Sequence, residues 1–122
     1  MKQISILGST GSIGTSALRI MSRYPDTFHP KVLLAGSNLS LLKEQIVQFR
    51  PTYVSIARQA HEAELQAFVS NHAGTDFLPA AEAMTVECDT VVSAIVGTAG
   101  LIPTWEAIHH ADRVALANKE TL

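Results

Sequence analysis

Gly8-Ser9-Thr10-Gly11-Ser12-Ile13-Gly14, set directly behind the apolar run Ile4-Ser5-Ile6-Leu7, decides how this chain is read. A glycine at the end of a strand can take a tight turn with positive φ. A second glycine lets the backbone approach a pyrophosphate, and a third lets the following helix press against the sheet. The start of that helix offers unpaired amides and roughly half a positive charge to an anion. Thr10 and Ser12 add hydroxyl donors. The spacing is G-x-x-G-x-x-G rather than the commoner G-x-G-x-x-G, and the lysine of a P-loop is missing. A merely structural turn would use the same glycines. Placement behind the first strand of an alternating strand–helix pattern favours dinucleotide binding.

Outward from the loop, six segments rich in aliphatic and β-branched residues recur, at 3–7, 31–35, 53–57, 75–78, 90–95 and 113–117. Most are continuously apolar, as strands covered on both faces are. Helical spacing fills the gaps. Ile13, Ala17, Leu18 and Met21 form one face, closed by Pro25, and Leu39, Leu42, Ile46, Val47 and Phe49 form another, closed by Pro51. Residues 60–71 carry Ala60, Ala63, Ala67 and Phe68, with Gly74 as the stop. The crossover at 79–88 is short. The next has a Thr98 cap, with Leu101, Trp105 and Ile108 on one face and Pro103 near its first turn. This alternation predicts a doubly wound, Rossmann-like α/β fold: a mainly parallel sheet with helices on both faces, one domain over residues 1–122.

Composition bounds the function. A chain of 122 residues buries roughly two-thirds of its unfolded surface, enough for a core. With 47% hydrophobic and 16% charged residues it is neither disordered nor collagen-like. A formal charge of -2 gives no field for nucleic acid and no polybasic membrane arm. The single Cys88 excludes an internal disulfide and fits a reducing compartment. No apolar run nears the roughly 18 residues of a membrane span. The apolar start stops at Leu7, too early for a signal peptide, so a cytoplasmic protein is expected.

The end of the second strand selects the dinucleotide. An NAD site usually places a carboxylate there for the ribose 2′-hydroxyl. Here the chain reads Leu34-Ala35-Gly36-Ser37-Asn38, with no carboxylate to repel a 2′-phosphate and with two donors to bind it, so NADP(H) is expected. That loop holds no cation. Arg58, at the end of the third strand, is either the missing cation or a solvated arginine. Asn38 or Ser40 can also cap the next helix. Asn38-Leu39-Ser40 matches a glycosylation acceptor, irrelevant in a cytoplasm. Small residues in Ala94-Ile95-Val96-Gly97-Thr98-Ala99-Gly100 either leave room for a cofactor or pack a helix on the sheet. Asn118-Lys119-Glu120, behind the last strand, is either a solvated loop or a polar cluster at the ligand edge. His109 and His110 diverge on a helix, His61 and His72 share no clear face, His29 is expected in a turn beside Pro30, and Cys88 has no histidine neighbour. No metal-ligand spacing and no nucleophile–base pair emerges.

Taken together, the glycine loop, Ala35-Gly36-Ser37-Asn38, Ala94-Ile95-Val96-Gly97 and Leu116-Ala117-Asn118-Lys119-Glu120 resemble, in order and over the whole chain, the N-terminal region of the 1-deoxy-D-xylulose 5-phosphate reductoisomerase family. That family forms 2-C-methyl-D-erythritol 4-phosphate in non-mevalonate isoprenoid biosynthesis. The resemblance implies a metal-assisted rearrangement of the sugar phosphate, with Mg²⁺ or Mn²⁺, followed by hydride transfer from NADPH, in a bacterial cytoplasmic homodimer. It assigns Thr10, Gly11, Ser12 and Ile13 to the cofactor phosphates and Gly36, Ser37 and Asn38 to the adenosine 2′-phosphate. Asn118 and Glu120 would contact the cofactor, and Lys119 the substrate. Some relatives carry a basic residue at the position of Ser37. The family's metal carboxylates, phosphate pocket and lid correspond to no residue of this sequence, so no catalytic or metal residue is expected within it. The sequence stops at Leu122, before any element can follow the last strand. The expectation is therefore an inactive NADPH-binding portion of the enzyme, the alternative being a stand-alone, non-catalytic dinucleotide-binding or sensing module.

Overall fold

The computed structural model describes residues 1–94 and the strand 111–116. In chain order the elements are β1 (Lys2–Leu7), α1 (Ser12–Met21), β2 (Phe28–Ala35), α2 (Leu39–Phe49), β3 (Tyr53–Ile56), a 3₁₀ turn (Gln59–His61) leading into α3 (Glu62–Val69), β4 (Asp76–Phe77), α4 (Ala80–Ala83), β5 (Cys88–Ser93) and β6 (Ala111–Leu116). The strands form one sheet in the order β4-β3-β2-β1-β5-β6, and each neighbouring pair is parallel. The chain steps outward from β1 to β4, then returns to the other side of β1 as β5. The order therefore reverses between β1 and β5, where doubly wound sheets open a crevice for ligands.

Alternation along the central strands sorts their side chains onto two covered faces. Ile4 and Ile6, Leu33 and Ala35, and Val54 and Ile56 meet Leu18 and Met21 of α1, Leu42 and Ile46 of α2, and Leu65 and Val69 of α3. Leu7, Leu34 and Val91 face the other way, where Ala80 and Met84 pack beside them. The short α4 is thus the described cover of the second face. The fifth predicted helix and its Thr98 cap lie outside the described residues.

The strands and helices differ from the sequence reading where polar or small residues obscured the pattern. β2 begins at Phe28 and runs through Pro30, so His29 lies in the strand, paired with Gln3, and not in a turn. Its pairing with β1 shifts register between Ile4 and Ser5, where Ile4 faces Pro30 and Ser5 faces Val32. Pro30 has no N–H to give the ladder, and a bulge there absorbs the deficit. Ala60 falls in the 3₁₀ turn ahead of α3, and α3 turns Leu65 and Val69 inward while Ala60, Ala63 and Ala67 face water, because burying the larger side chains removes more apolar area. Ile13 and Val47 are also exposed, and Gly14 and Gln45 take inward places on their helices.

Candidate functional site

The glycine loop leaves β1 at the switch point. The amide of Ala94, just past β5, donates to the Leu7 carbonyl at 2.8 Å, so the exits of β1 and β5 lie side by side. Gly8 takes φ 93, in the left-handed region that favours glycine. Its amide and that of Ser9 both donate to the Leu34 carbonyl, at 2.7 and 3.0 Å, tying the loop to β2. The Gly11 amide turns back onto the Gly8 carbonyl at 3.3 Å. α1 then crosses so close that a Cβ on Gly14 would stand 2.2 Å from the Gly8 carbonyl oxygen and 2.7 Å from the Ser9 Cα. A Cβ on Gly11 would meet the same oxygen at an ordinary 3.6 Å. The first and third glycines are therefore required by the backbone. The second keeps the mouth of the loop open.

That mouth is lined with unused donors. Gly11 caps α1 without a side chain, and among the described residues the amides of Thr10, Ser12 and Ile13 donate to no protein group. The first turn of any helix leaves such amides orphaned, and here they collect beside the Thr10 and Ser12 hydroxyls. Ile13, exposed rather than buried, lies at the same mouth. Thr10, Gly11, Ser12 and Ile13 thus stand together at one mouth, in a cradle whose chemistry suits a pyrophosphate.

One strand away, Gly36, Ser37 and Asn38 form an exposed turn between β2 and α2. A Cβ on Gly36 would meet nothing within 4 Å. The Asn38 carboxamide oxygen accepts from the Leu41 amide at 3.1 Å and caps α2, which leaves its NH₂ group as a donor. The β2–β3 ladder continues past both strands: the Ala57 amide donates to the Ala35 carbonyl at 2.8 Å, and the Arg58 amide to the Gly36 carbonyl at 3.0 Å. Arg58, exposed and without an ion-pair partner among the described residues, therefore stands beside the turn that lacks a cation of its own. The 94–100 segment is described only at Ala94. Asn118, Lys119, Glu120, His109 and His110 lie outside the described residues.

The remaining polar groups stand apart from this edge. His29, at the opposite end of β2, shares a 3.1 Å hydrogen bond with the Thr52 hydroxyl, and burial, then the neighbouring Lys31, hold its pKa below the usual histidine range. His72 bonds the Phe68 carbonyl at 2.9 Å and stacks on that ring. Cys88 is half-buried against the second-face cluster. Lys43 on α2 bonds Glu64 on α3 at 2.6 Å, and that bond holds the Glu64 carboxyl below its usual range. Among the described residues no group of three histidines, cysteines or carboxylates could hold a metal ion.

Sequence reasoning missed Gln45. It is buried on the inner face of α2, and its Nε2 donates to the Ser9 carbonyl at 2.8 Å. The signal was available: a glutamine in the inward series Leu39, Leu42, Gln45, Ile46, opposite a glycine loop.

Comparison with known proteins converges on one family. The family model described as 1-deoxy-D-xylulose 5-phosphate reductoisomerase matches residues 4–122. The reductoisomerase of Geobacter metallireducens is 51% identical over an alignment of 127 residues that covers 100% of this chain and 33% of that protein. That of Microcystis aeruginosa is 45% identical, with 100% and 33% covered. The Zymomonas mobilis reductoisomerase solved in complex with NADPH superposes with a TM-score of 0.91 at 30% identity, over 99% of this chain and 33% of that one. A reductoisomerase solved with NADPH, fosmidomycin and magnesium gives 0.91 at 34% identity, over 100% and 31%. The chain spans about a third of the length of the relatives it matches.

Proposed function

The chain belongs to the 1-deoxy-D-xylulose 5-phosphate reductoisomerase family, and we propose that residues 1–122 act as one NADPH-binding domain of such an enzyme. The observation that carries this reading is the cradle at the switch point, where the amides of Thr10, Ser12 and Ile13 have no protein partner among the described residues and lie beside two hydroxyls. These groups hold the pyrophosphate through charge-assisted hydrogen bonds, reinforced by the positive end of α1. Gly11 lets the backbone come close, and Ile13 covers the cofactor with an apolar side chain.

Gly36, Ser37 and Asn38 receive the adenosine 2′-phosphate. The Ser37 hydroxyl and the free Asn38 NH₂ donate to it, and no carboxylate in the turn repels it. NADPH, once bound, supplies the hydride that reduces the rearranged sugar phosphate. Asn118 and Glu120 contact the cofactor and Lys119 the anionic substrate. The parent enzyme converts 1-deoxy-D-xylulose 5-phosphate to 2-C-methyl-D-erythritol 4-phosphate as a cytoplasmic homodimer that engages neither nucleic acid nor membrane, using Mg²⁺ or Mn²⁺ held by residues other than these 122.

Isothermal calorimetry on this chain tests the reading: NADPH is expected to bind more tightly than NADH. Equal affinities would remove the role given to Ser37 and Asn38. With 1-deoxy-D-xylulose 5-phosphate and Mg²⁺ added, the chain is expected to bind NADPH without oxidising it, and measurable turnover would overturn the division of labour.

A further inference from the structure

The strongest polar feature of the interior that the cofactor reading leaves unused is Gln45. The residue is 4% exposed, yet among the described residues only one end of its carboxamide is satisfied. Nε2 donates to the Ser9 carbonyl at 2.8 Å, while among the described residues neither Oε1 nor the hydroxyl of the fully buried Ser9 has a partner. The orientation of the carboxamide is fixed by that bond, because the reverse would set two carbonyl oxygens against each other. An unsatisfied buried acceptor is costly, and a leucine at this place would avoid it. The side chain is therefore placed for its donor.

The donor controls a peptide plane. In a trans peptide the carbonyl of one residue and the N–H of the next point in opposite directions. Drawing the Ser9 carbonyl toward α2 turns the Thr10 N–H away from α2, and Thr10 is one of the loop residues whose amide has no protein partner among the described residues. Leu34 holds the amides of Gly8 and Ser9, and Gly14 packs on the Gly8 carbonyl and on the Cα and carbonyl carbon of Ser9, which fixes the loop in place. Among the described residues, the hydrogen bond that sets the direction of the Ser9–Thr10 peptide is the one from Gln45.

We propose that Gln45 is a positioning residue for the dinucleotide: through the Ser9 carbonyl it aims the Thr10 amide at the pyrophosphate. The proposal rests on the NADPH-binding reading, and the experiment separates the two. NADPH and adenosine 2′-phosphate, which carries the 2′-phosphate but no pyrophosphate, are titrated into wild type and Gln45→Met, with folding checked by circular dichroism. Gln45→Met keeps the length of the side chain and removes the donor. It is expected to bind NADPH about tenfold more weakly and adenosine 2′-phosphate within twofold of wild type.

Gln45→Glu provides the second variant, near-isosteric but unable to donate when ionised. Its NADPH affinity is expected to fall at pH 8 and to recover as the pH is lowered and the protonated carboxyl can donate to Ser9. Loss of a merely structural residue would weaken both ligands together and show no such recovery. A folded variant of either kind that binds NADPH like wild type at pH 8, or that loses both ligands equally, overturns the proposal. Failure of wild type to bind NADPH would instead overturn the reading on which it rests.

Discussion

Helices α1 and α2 begin at the same edge of the sheet, one strand apart, and finish their first turns in opposite ways. α1 starts from Gly11, which offers no side chain, and among the described residues nothing closes its first amides beside Thr10. α2 starts from Asn38, whose own side chain closes on the Leu41 amide. An open helix start attracts an anion through backbone donors and the helix dipole. A capped start has spent a donor on itself, so recognition in front of it falls to side chains. The two ends of one NADPH would thus be held by different physics: the pyrophosphate by backbone at α1, and the 2′-phosphate by Ser37, Asn38 and a nearby cation at α2.

The most severe way to break the comparison is to fill the space behind each turn. Gly14→Ala gains about 1 kcal/mol of helix propensity. It also drives a Cβ to 2.2 Å from the Gly8 carbonyl and 2.7 Å from the Ser9 backbone, where no flexible side chain can give way. Overpacking of this kind costs about 3 kcal/mol, so a net loss of about 2 kcal/mol is expected, with Tm down by roughly 8 °C. NADPH binding should fall below detection as the loop is displaced. Gly36→Ala meets nothing within 4 Å, and its stability is expected within about 0.5 kcal/mol of wild type. Thermal unfolding of the pair measures the contrast, and equal losses would mean that α1 does not depend on its close approach.

Exchanging the caps comes next. Gly11 lies at φ -79 and ψ 176, a conformation any residue can adopt. Gly11→Asp should therefore fold, cap α1 with its own carboxylate and gain about 0.5 kcal/mol. The same carboxylate occupies the anion's place, so NADPH should bind at least about tenfold more weakly, a change of about 1.4 kcal/mol. Stability rising while affinity falls would sharpen the claim that α1 is left uncapped for its ligand. Asn38→Ala, by contrast, is expected to cost about 1 kcal/mol of stability. Its effect on NADPH should be the smaller one, since only a single donor to the 2′-phosphate is lost. Chemical denaturation and calorimetry on both variants check the pair.

How much of this was legible in the sequence follows from the same contrast. The loop was, because Gly8 and Gly14 are demanded by backbone geometry that other residues cannot satisfy, and geometry of that kind leaves a fixed spacing. The central strands were too, since residues covered on both faces cannot hide their apolarity. The inward faces of the helices were less so. Ala60, Ala63 and Ala67 mimic a buried stripe without the bulk that selects one, and Leu65 and Val69 win the core. Gln45 was invisible because polarity suggests water, and only the tertiary approach of the Ser9 carbonyl makes its burial sensible. The start of β2 escaped because Pro30 reads as a breaker until a bulge accommodates it.

The finest distinction concerns the cation at α2. With its helix start closed by Asn38 and Ser37 uncharged, the proposed 2′-phosphate site would draw its cation from Arg58, whose backbone is bonded to Gly36 at 3.0 Å and whose side chain is exposed. An exposed charge pair contributes only about 0.2–1 kcal/mol, so Arg58→Ala should weaken NADPH by roughly 1.5- to 5-fold. NADH, without the 2′-phosphate, should be unaffected. The interaction is screened, so raising KCl should narrow the gap between wild type and variant for NADPH alone. The Thr10 amide at α1 answers differently, because a backbone donor carries no side-chain charge to delete. If Arg58→Ala weakens NADPH and NADH alike, the arginine touches the shared adenosine rather than the 2′-phosphate, and the division between a backbone-held and a side-chain-held end of the cofactor would lose its cation.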